Sequence, residues 1–185
     1  MLSGRGRLIS AGYLLLAFSQ AGGAAAEVLS SNSNGFSVKH SLEISATPQQ
    51  VYDSIVKSVG SWWNSSHTFS GSSKNLSIDD QPGGCFCERW DGKAGVRHMT
   101  VVFANPGKIL RMSGGLGPFQ DMGVAGSLTF ALAWAEGRTL LTLTYNAGGY
   151  STEGLAKWAG AADSMLLEQV SRLKRFVETG NAEND

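Results

Sequence analysis

The feature that most constrains this chain is its last long segment, Thr152 to Glu178. Leu155, Trp158, Ala159, Ala162, Met165, Leu166, Gln169, Val170, Leu173, Phe176 and Val177 recur there at three- and four-residue steps. Most charged residues of the segment, among them Glu153, Lys157, Asp163, Glu168 and Lys174, fall on the other side. That spacing predicts one amphipathic helix. Roughly 27 helical residues would extend about 40 Å, enough to cross a small domain. Nearly everything before it reads as strand, so the chain must fold as a sheet against one long helix, with any pocket between the two.

The first 26 residues stand apart. Arg5 and Arg7 precede an apolar run from Leu8 to Phe18, and Ala24-Ala25-Ala26 offers an A-x-A cleavage site. This is the plan of a secretory signal peptide, with cleavage expected after Ala26 and a periplasmic or secreted product. The apolar run is shorter than the ~20 residues that span a bilayer, so no membrane contact is expected after cleavage. The remaining 159 residues suit one domain. They hold 13 basic and 15 acidic residues, a net charge of −2, and no basic face for nucleic acid. Arg172, Lys174 and Arg175 do cluster, in the last turns of the helix, where they complement its dipole.

Residues 27–35 read as a polar leader and 180–185 as a polar tail, both expected to fray. Between them, Phe36, Val38, His40, Leu42 and Ile44 alternate with polar residues as a strand. Thr47-Pro48, with Gln50 three residues on, opens a helix carrying Val51, Tyr52, Ile55 and Val56, and a second short helical piece follows at Ser61-Trp62-Trp63. Asn64 to Ser73 is a polar loop. About six further strands follow, joined by turns such as Pro82-Gly83-Gly84, Asp91-Gly92 and Glu136-Gly137. The Gly-rich stretch Gly114 to Gly123 is expected to expose Leu116, Phe119 and Met122. Short connections make the strands an antiparallel meander of about seven, with the helices on one face: an α+β fold.

Four patches in this order carry a resemblance. They are Ile44 to Tyr52, Ser61-Trp62-Trp63, Pro82 to Trp90 with its Gly-Gly and Glu-x-Trp, and Thr139 to Tyr145 before the last helix. Together they resemble the START-like helix-grip superfamily, also called SRPBCC or polyketide cyclase and lipid transport, over nearly all of residues 36–179. The nearest branch is similar to activators of the heat-shock ATPase. The resemblance implies a bent antiparallel sheet gripping the long helix. It implies as function a carrier of hydrophobic molecules, a cyclase, an allergen-like binder or a chaperone activator.

A cavity between sheet and helix should be apolar with a few placed polar groups. The residues placed to line it are Trp62, Trp63, Phe69, Phe86, Glu88, Trp90, Met112, Phe119, Met122, Tyr145, Trp158 and Met165, and each of them has the competing reading of plain core. Phe119 and Met122 would form its lip. Glu88 alternates with Phe86 and Trp90 and should point inward, either toward a ligand or satisfied by Arg97 or Arg111. His40 and Tyr145 are the other acid–base candidates. Cys85 and Cys87 lie two apart on one strand, about 6.6 Å between Cα atoms. A bridge there needs local distortion, and the leading reading is two buried thiols. With His98 they would give three metal ligands and no fourth, so no metal is expected. Neither G-x-S-x-G, H-E-x-x-H, a P-loop nor G-x-G-x-x-G occurs, and no cofactor is expected.

The sequence therefore leaves three functions: a binder of a small hydrophobic molecule, a cyclase- or hydrolase-like enzyme using a cavity carboxylate, or a protein-binding module with a filled core. No stretch specifies an oligomeric state.

Overall fold

A computed structural model describes residue 1 and residues 25–183; residues 2–24, most of the stretch 1–26 read above as a signal peptide, lie outside the described residues. The described strands are β1 (Ala25–Asn32), β2 (Gly35–Ile44), β3 (Leu76–Ile78), β4 (Cys85–Trp90), β5 (Ala94–Asn105), β6 (Ile109–Gly114), β7 (Ala125–Ala135) and β8 (Arg138–Gly148). They form one antiparallel sheet of eight strands in the order β1-β2-β8-β7-β6-β5-β4-β3. The helices are α1 (Pro48–Lys57), α2 (Val59–Trp62) and α3 (Ala159–Thr179). The α+β class, the two helical pieces after the strand at 36–44 and the final helix are as the periodicity predicts.

Four expectations need correction. Most of the residues read as a polar leader belong to β1, which pairs along β2 from Val28↔Val38 to Asn32↔Gly35, and so the sheet has eight strands. Backbone pairing, which composition does not report, holds that segment. The long helix is α3 alone, 21 residues, preceded by a 3-10 turn at Ala156–Trp158. Gly154, at φ +75°, makes the left-handed bend that stops the helix from starting earlier. The tail does not fray as far as Glu183: Arg172 makes a two-pronged bond to Glu183 at 2.6 and 2.9 Å, and Arg175 donates to Ala182 O. Arg172 also donates to Trp62 O, so this arginine ties α2, α3 and the tail together instead of only facing the helix end.

Local chemistry sets the first turn of α1. The Thr47 hydroxyl accepts from Gln50 N–H while the Gln50 side chain accepts from Thr47 N–H, a reciprocal cap with Pro48 at the first helical position. Val51, Tyr52, Ile55 and Val56 are its buried stripe. On α3, Ala159, Ala162, Leu166, Val170 and Leu173 are buried over the concave face of the sheet. There they meet Val38, Leu128, Leu141 and Leu143 in one core.

The sheet bends at two bulges in β5. Phe86 pairs with Met99 and Cys87 with Arg97, so His98 is an extra residue; Val101 pairs with Met112 and Phe103 with Arg111, so Val102 is another. The inside–outside alternation of a regular strand therefore breaks along β5: His98 and Met99 are both buried, and Val102 and Phe103 both exposed.

Candidate functional site

The bend leaves a cavity of about 470 Å³ between the β4–β5 end of the sheet and the start of α3. Two loops, the sheet and the final helix with its leading turn wall it. Trp63, His67 and Phe69 come from the loop after α2, and Leu116, Pro118 and Phe119 from the loop after β6. Phe86, His98 and Tyr145 come from the sheet; Trp158, Ala162 and Met165 come from the helix and its leading turn. The aromatic rings interlock. Trp63 lies 5.3 Å from Phe86, Phe86 5.0 Å from His98, and Phe119 5.6 Å from Trp158, centroid to centroid. A volume of this size and this lining suit a small, largely apolar molecule.

The rim loop from Asn64 to Ser70 is pinned from both sides. On the helix side, Asn64 N–H donates to the Gln169 side chain at 2.8 Å, the Asn64 amide bonds Glu168, and His67 Nε2 lies 3.1 Å from Glu168. On the sheet side, Glu88 takes the backbone N–H groups of Phe69, at 3.0 Å, and Ser70. Glu88 is fully buried, and His98 Nε2 lies 3.1 Å from its Oε2. Burial pushes the Glu88 carboxyl up, but the bonds from Ser70, Phe69 and His98 outweigh it and hold the group below its ordinary range. Burial likewise pushes the His98 imidazole below its ordinary value, against the pull of Glu88. The pair at neutral pH is thus a carboxylate and a neutral imidazole.

Glu88 points inward as predicted, but its partners are two backbone amides and His98, not Arg97 or Arg111. Alternation along one strand shows the inward face and cannot show which loop folds across it. Glu88 stands behind the cavity wall; His98 is the member of the pair that lines the cavity, and sequence reasoning treated it only as a metal ligand. The signal that could have found it is the inward Glu88 on the neighbouring strand.

Of the other predicted lining residues, Trp63, Phe86, Phe119, Tyr145, Trp158 and Met165 do line the cavity. Phe69 lines it from the rim and is 56% exposed. Four do not. Trp62 and Met112 are closed in the core, each 1% exposed, Trp62 because its indole N–H donates to Ser54 O at the foot of α1. Trp90 stands at the β4–β5 hairpin, beyond the reach of α3, and Met122 faces Tyr150 and the Thr152-Glu153 turn. Leu116 and Phe119, expected to be exposed, are each 5% exposed because the loop folds inward through a 3-10 turn at Gly117–Gln120. His40 is buried under α3, outside the cavity, its Nε2 3.3 Å from Asp163 Oδ1; the atoms are in ion-pair range but off the line of a hydrogen bond.

Cys85 and Cys87 are joined in a disulfide, so they are not the two thiols expected from their spacing. Their Cα atoms are 5.4 Å apart, drawn in from a regular strand's spacing where the β4–β5 register shifts between Phe86 and Cys87. Among the described residues no three His, Cys, Asp or Glu side chains gather as for a metal, and no helix is long and apolar enough to cross a membrane.

Three buried polar atoms on residues that line the cavity lack a hydrogen-bond partner among the described residues: His98 Nδ1, the Tyr145 hydroxyl and Trp158 Nε1. Burial raises the Tyr145 phenol to about 12, against the Leu116 backbone, so it stays protonated.

Solved structures share the architecture. A conserved protein of unknown function from Enterococcus faecalis superposes with a TM-score of 0.57 at 18% identity, over 89% of this chain and 82% of its own. DynU16, from the dynemicin biosynthetic locus, gives 0.58 at 18% identity over 80% of this chain, which spans half of DynU16. CalU16 from Micromonospora echinospora gives 0.52 at 14% identity, over 82% and 85% of the two chains. This is the START-like helix-grip fold. At these identities the likeness concerns the fold. No protein-family model matches the chain, and no curated protein does. Within the helix-grip plan the cavity lies where sheet and final helix part, at the end of α3 that receives the two loops.

Proposed function

We propose that this helix-grip protein is a secreted or periplasmic binder of a small hydrophobic molecule, held in the cavity between β4–β5, Tyr145 and the start of α3. The observation that carries the reading is the cavity itself, about 470 Å³ walled mainly by aromatic and aliphatic side chains, with Ser66, His67, Thr68, His98 and Asp121 as its polar lining. Transfer of a ligand's apolar surface from water into it supplies the affinity, at roughly 25 cal/mol per Å² before the cost of association. Phe69 and the Gly117–Gln120 turn stand at its mouth and would gate it. A filled core, as the protein-binding reading requires, does not match this void. The enzyme reading draws support from one observation, the buried Glu88–His98 pair at the wall. Glu88, however, is occupied by two backbone amides, His40 lies outside the cavity, and Asp121, a carboxylate that does line it, makes no hydrogen bond to His98 among the described residues.

Secretion rests on the N-terminal pattern and draws support from the Cys85–Cys87 bridge, since disulfides persist in oxidising compartments. The test is native mass spectrometry of the protein purified from the periplasm or medium, followed by solvent extraction. A co-purified hydrophobe, or saturable uptake of an apolar fluorescent probe that a Met165→Trp cavity-filling variant loses, is the expected result. A protein that takes up neither would overturn the reading. The same spectrum reports whether the chain begins at Glu27.

A further inference from the structure

The polar atoms of the cavity narrow the ligand class, an inference that rests on the binding reading above. His98 is 4% exposed, and its ring lies 5.0 Å from Phe86 and 5.8 Å from Phe69. Glu88 is a carboxylate and can only accept, so the hydrogen between the two residues belongs to His98 Nε2. A neutral imidazole has one such hydrogen, and Nδ1 is therefore left with a bare lone pair. Among the described residues no N–H or O–H reaches it. A buried acceptor without a donor is costly, and few persist without a partner that the protein itself does not supply. Across the cavity Trp158 Nε1, a donor only, is also without a partner. The complement of this pattern is a flat apolar body bearing a hydroxyl for His98 and an acceptor oxygen for Trp158.

We propose that the cavity selects a hydroxylated aromatic molecule whose O–H donates to His98 Nδ1, with Glu88 fixing the imidazole tautomer that makes Nδ1 the acceptor. Flatness follows from the ring-lined walls; the hydroxyl follows from the tautomer. A methyl ether of the same ring system fills the same space and lacks the donor.

The test uses the full mature protein and two probes, 2-naphthol and 2-methoxynaphthalene, titrated by fluorescence at pH 7.5. One buried hydrogen bond should make the naphthol bind about tenfold more tightly. His98→Phe should level the two affinities, read as their ratio so that any change of packing shared by both probes cancels, and Glu88→Gln should shrink that ratio. The imidazole 15N spectrum of the unmodified protein gives an independent reading: an unprotonated His98 Nδ1 resonance that moves on adding naphthol and stays put with the ether. Equal affinities in the wild type would overturn the hydroxyl assignment and leave the apolar cavity standing. A naphthol preference that survives His98→Phe would overturn the role of His98, and one unchanged in Glu88→Gln the role of Glu88. Failure of both probes to bind would overturn the cavity reading and this inference together.

Discussion

Glu88 and His98 meet at 3.1 Å although they are not register partners: Glu88 pairs with Val96, and His98 reaches it diagonally from the bulge on β5. The extra residue turns an imidazole inward beside a carboxylate that also holds the rim loop. Sheet curvature, loop position and cavity polarity therefore share one local irregularity.

Removing the Glu88 carboxylate should be expensive. Glu88→Ala leaves the Phe69 and Ser70 amides and His98 Nε2 without their acceptor, all close to the core. Each buried donor left without its acceptor costs about 1–3 kcal/mol. Urea unfolding should show that loss, and amide exchange at Phe69 and Ser70 should accelerate more than in α1. A variant as stable as the parent would mean the carboxylate does not hold the loop.

Stability should fall as the solution is acidified from neutrality. Burial lowers the pKa of His40 in the folded protein despite Asp163, and that of His98 despite Glu88, from an ordinary value of 6.5. The unfolded chain then binds more protons than the folded one below about pH 6.5, so stability present above that pH is lost as pH drops toward the folded values. The Glu88 carboxylate, lowered from 4.5, adds a second loss at more acid pH. Melting temperatures from pH 8 to 4 should decline in that order, and His40→Gln should flatten the first part of the decline. A flat profile from pH 7 to 5 would contradict the burial of both imidazoles in neutral form.

Gly126 on β7 sits beneath Tyr145. A Cβ added there would lie 2.5 Å from Tyr145 Cε2 and 2.8 Å from its hydroxyl oxygen. Gly126→Ala must displace the ring, which is fully buried at the cavity wall, and overpacking of this sort costs about 1–3 kcal/mol. Denaturant unfolding should show that cost together with weaker probe binding. Gly126→Ala with unchanged affinity would place Tyr145 outside the binding volume.

The Cys85–Cys87 bridge closes a very short loop, so its contribution through the unfolded chain is small, roughly 1–2 kcal/mol. Alkylation of the denatured, unreduced protein should find no thiol. Reduction should lower the melting temperature by only a few degrees. Two titratable thiols in protein from an oxidising compartment would refute the bridge.

The fold was legible because its signals are local. The stripe from Leu155 to Val177, the cap at Thr47 and the alternation of β2 each report one element and its buried face. Seven cavity residues, Phe69 among them, followed from those signals together with the helix-grip resemblance. What escaped depends on pairing between distant segments. Nothing within Ala94–Asn105 marks His98 as the residue that bulges, because the bulge is defined by β4 opposite. Phe86, Glu88 and Trp90 share a parity, yet only the first two lie under the helix and the rim loop. The acceptance of Phe69 and Ser70 by Glu88 likewise joins residues whose sequence neighbourhoods are unrelated. The close of Cys85 on Cys87 needed a backbone departure that a regular-strand estimate leaves out.

The cavity is assembled from segments far apart in synthesis. Its rim, sheet wall and mouth come from residues 63–145, but Trp158, Ala162 and Met165 follow them in the chain and emerge later. Until α3 docks, the concave sheet is an open apolar trough and no enclosed volume exists. On the binding reading proposed above, a ligand present while the chain is folding would be enclosed as the helix closes over it, whereas one arriving later would have to pass the pinned rim loop. Loading during folding and loading of the folded protein would then be two different rates, set by helix docking in the first case and by release of the Glu88 and Glu168 anchors in the second.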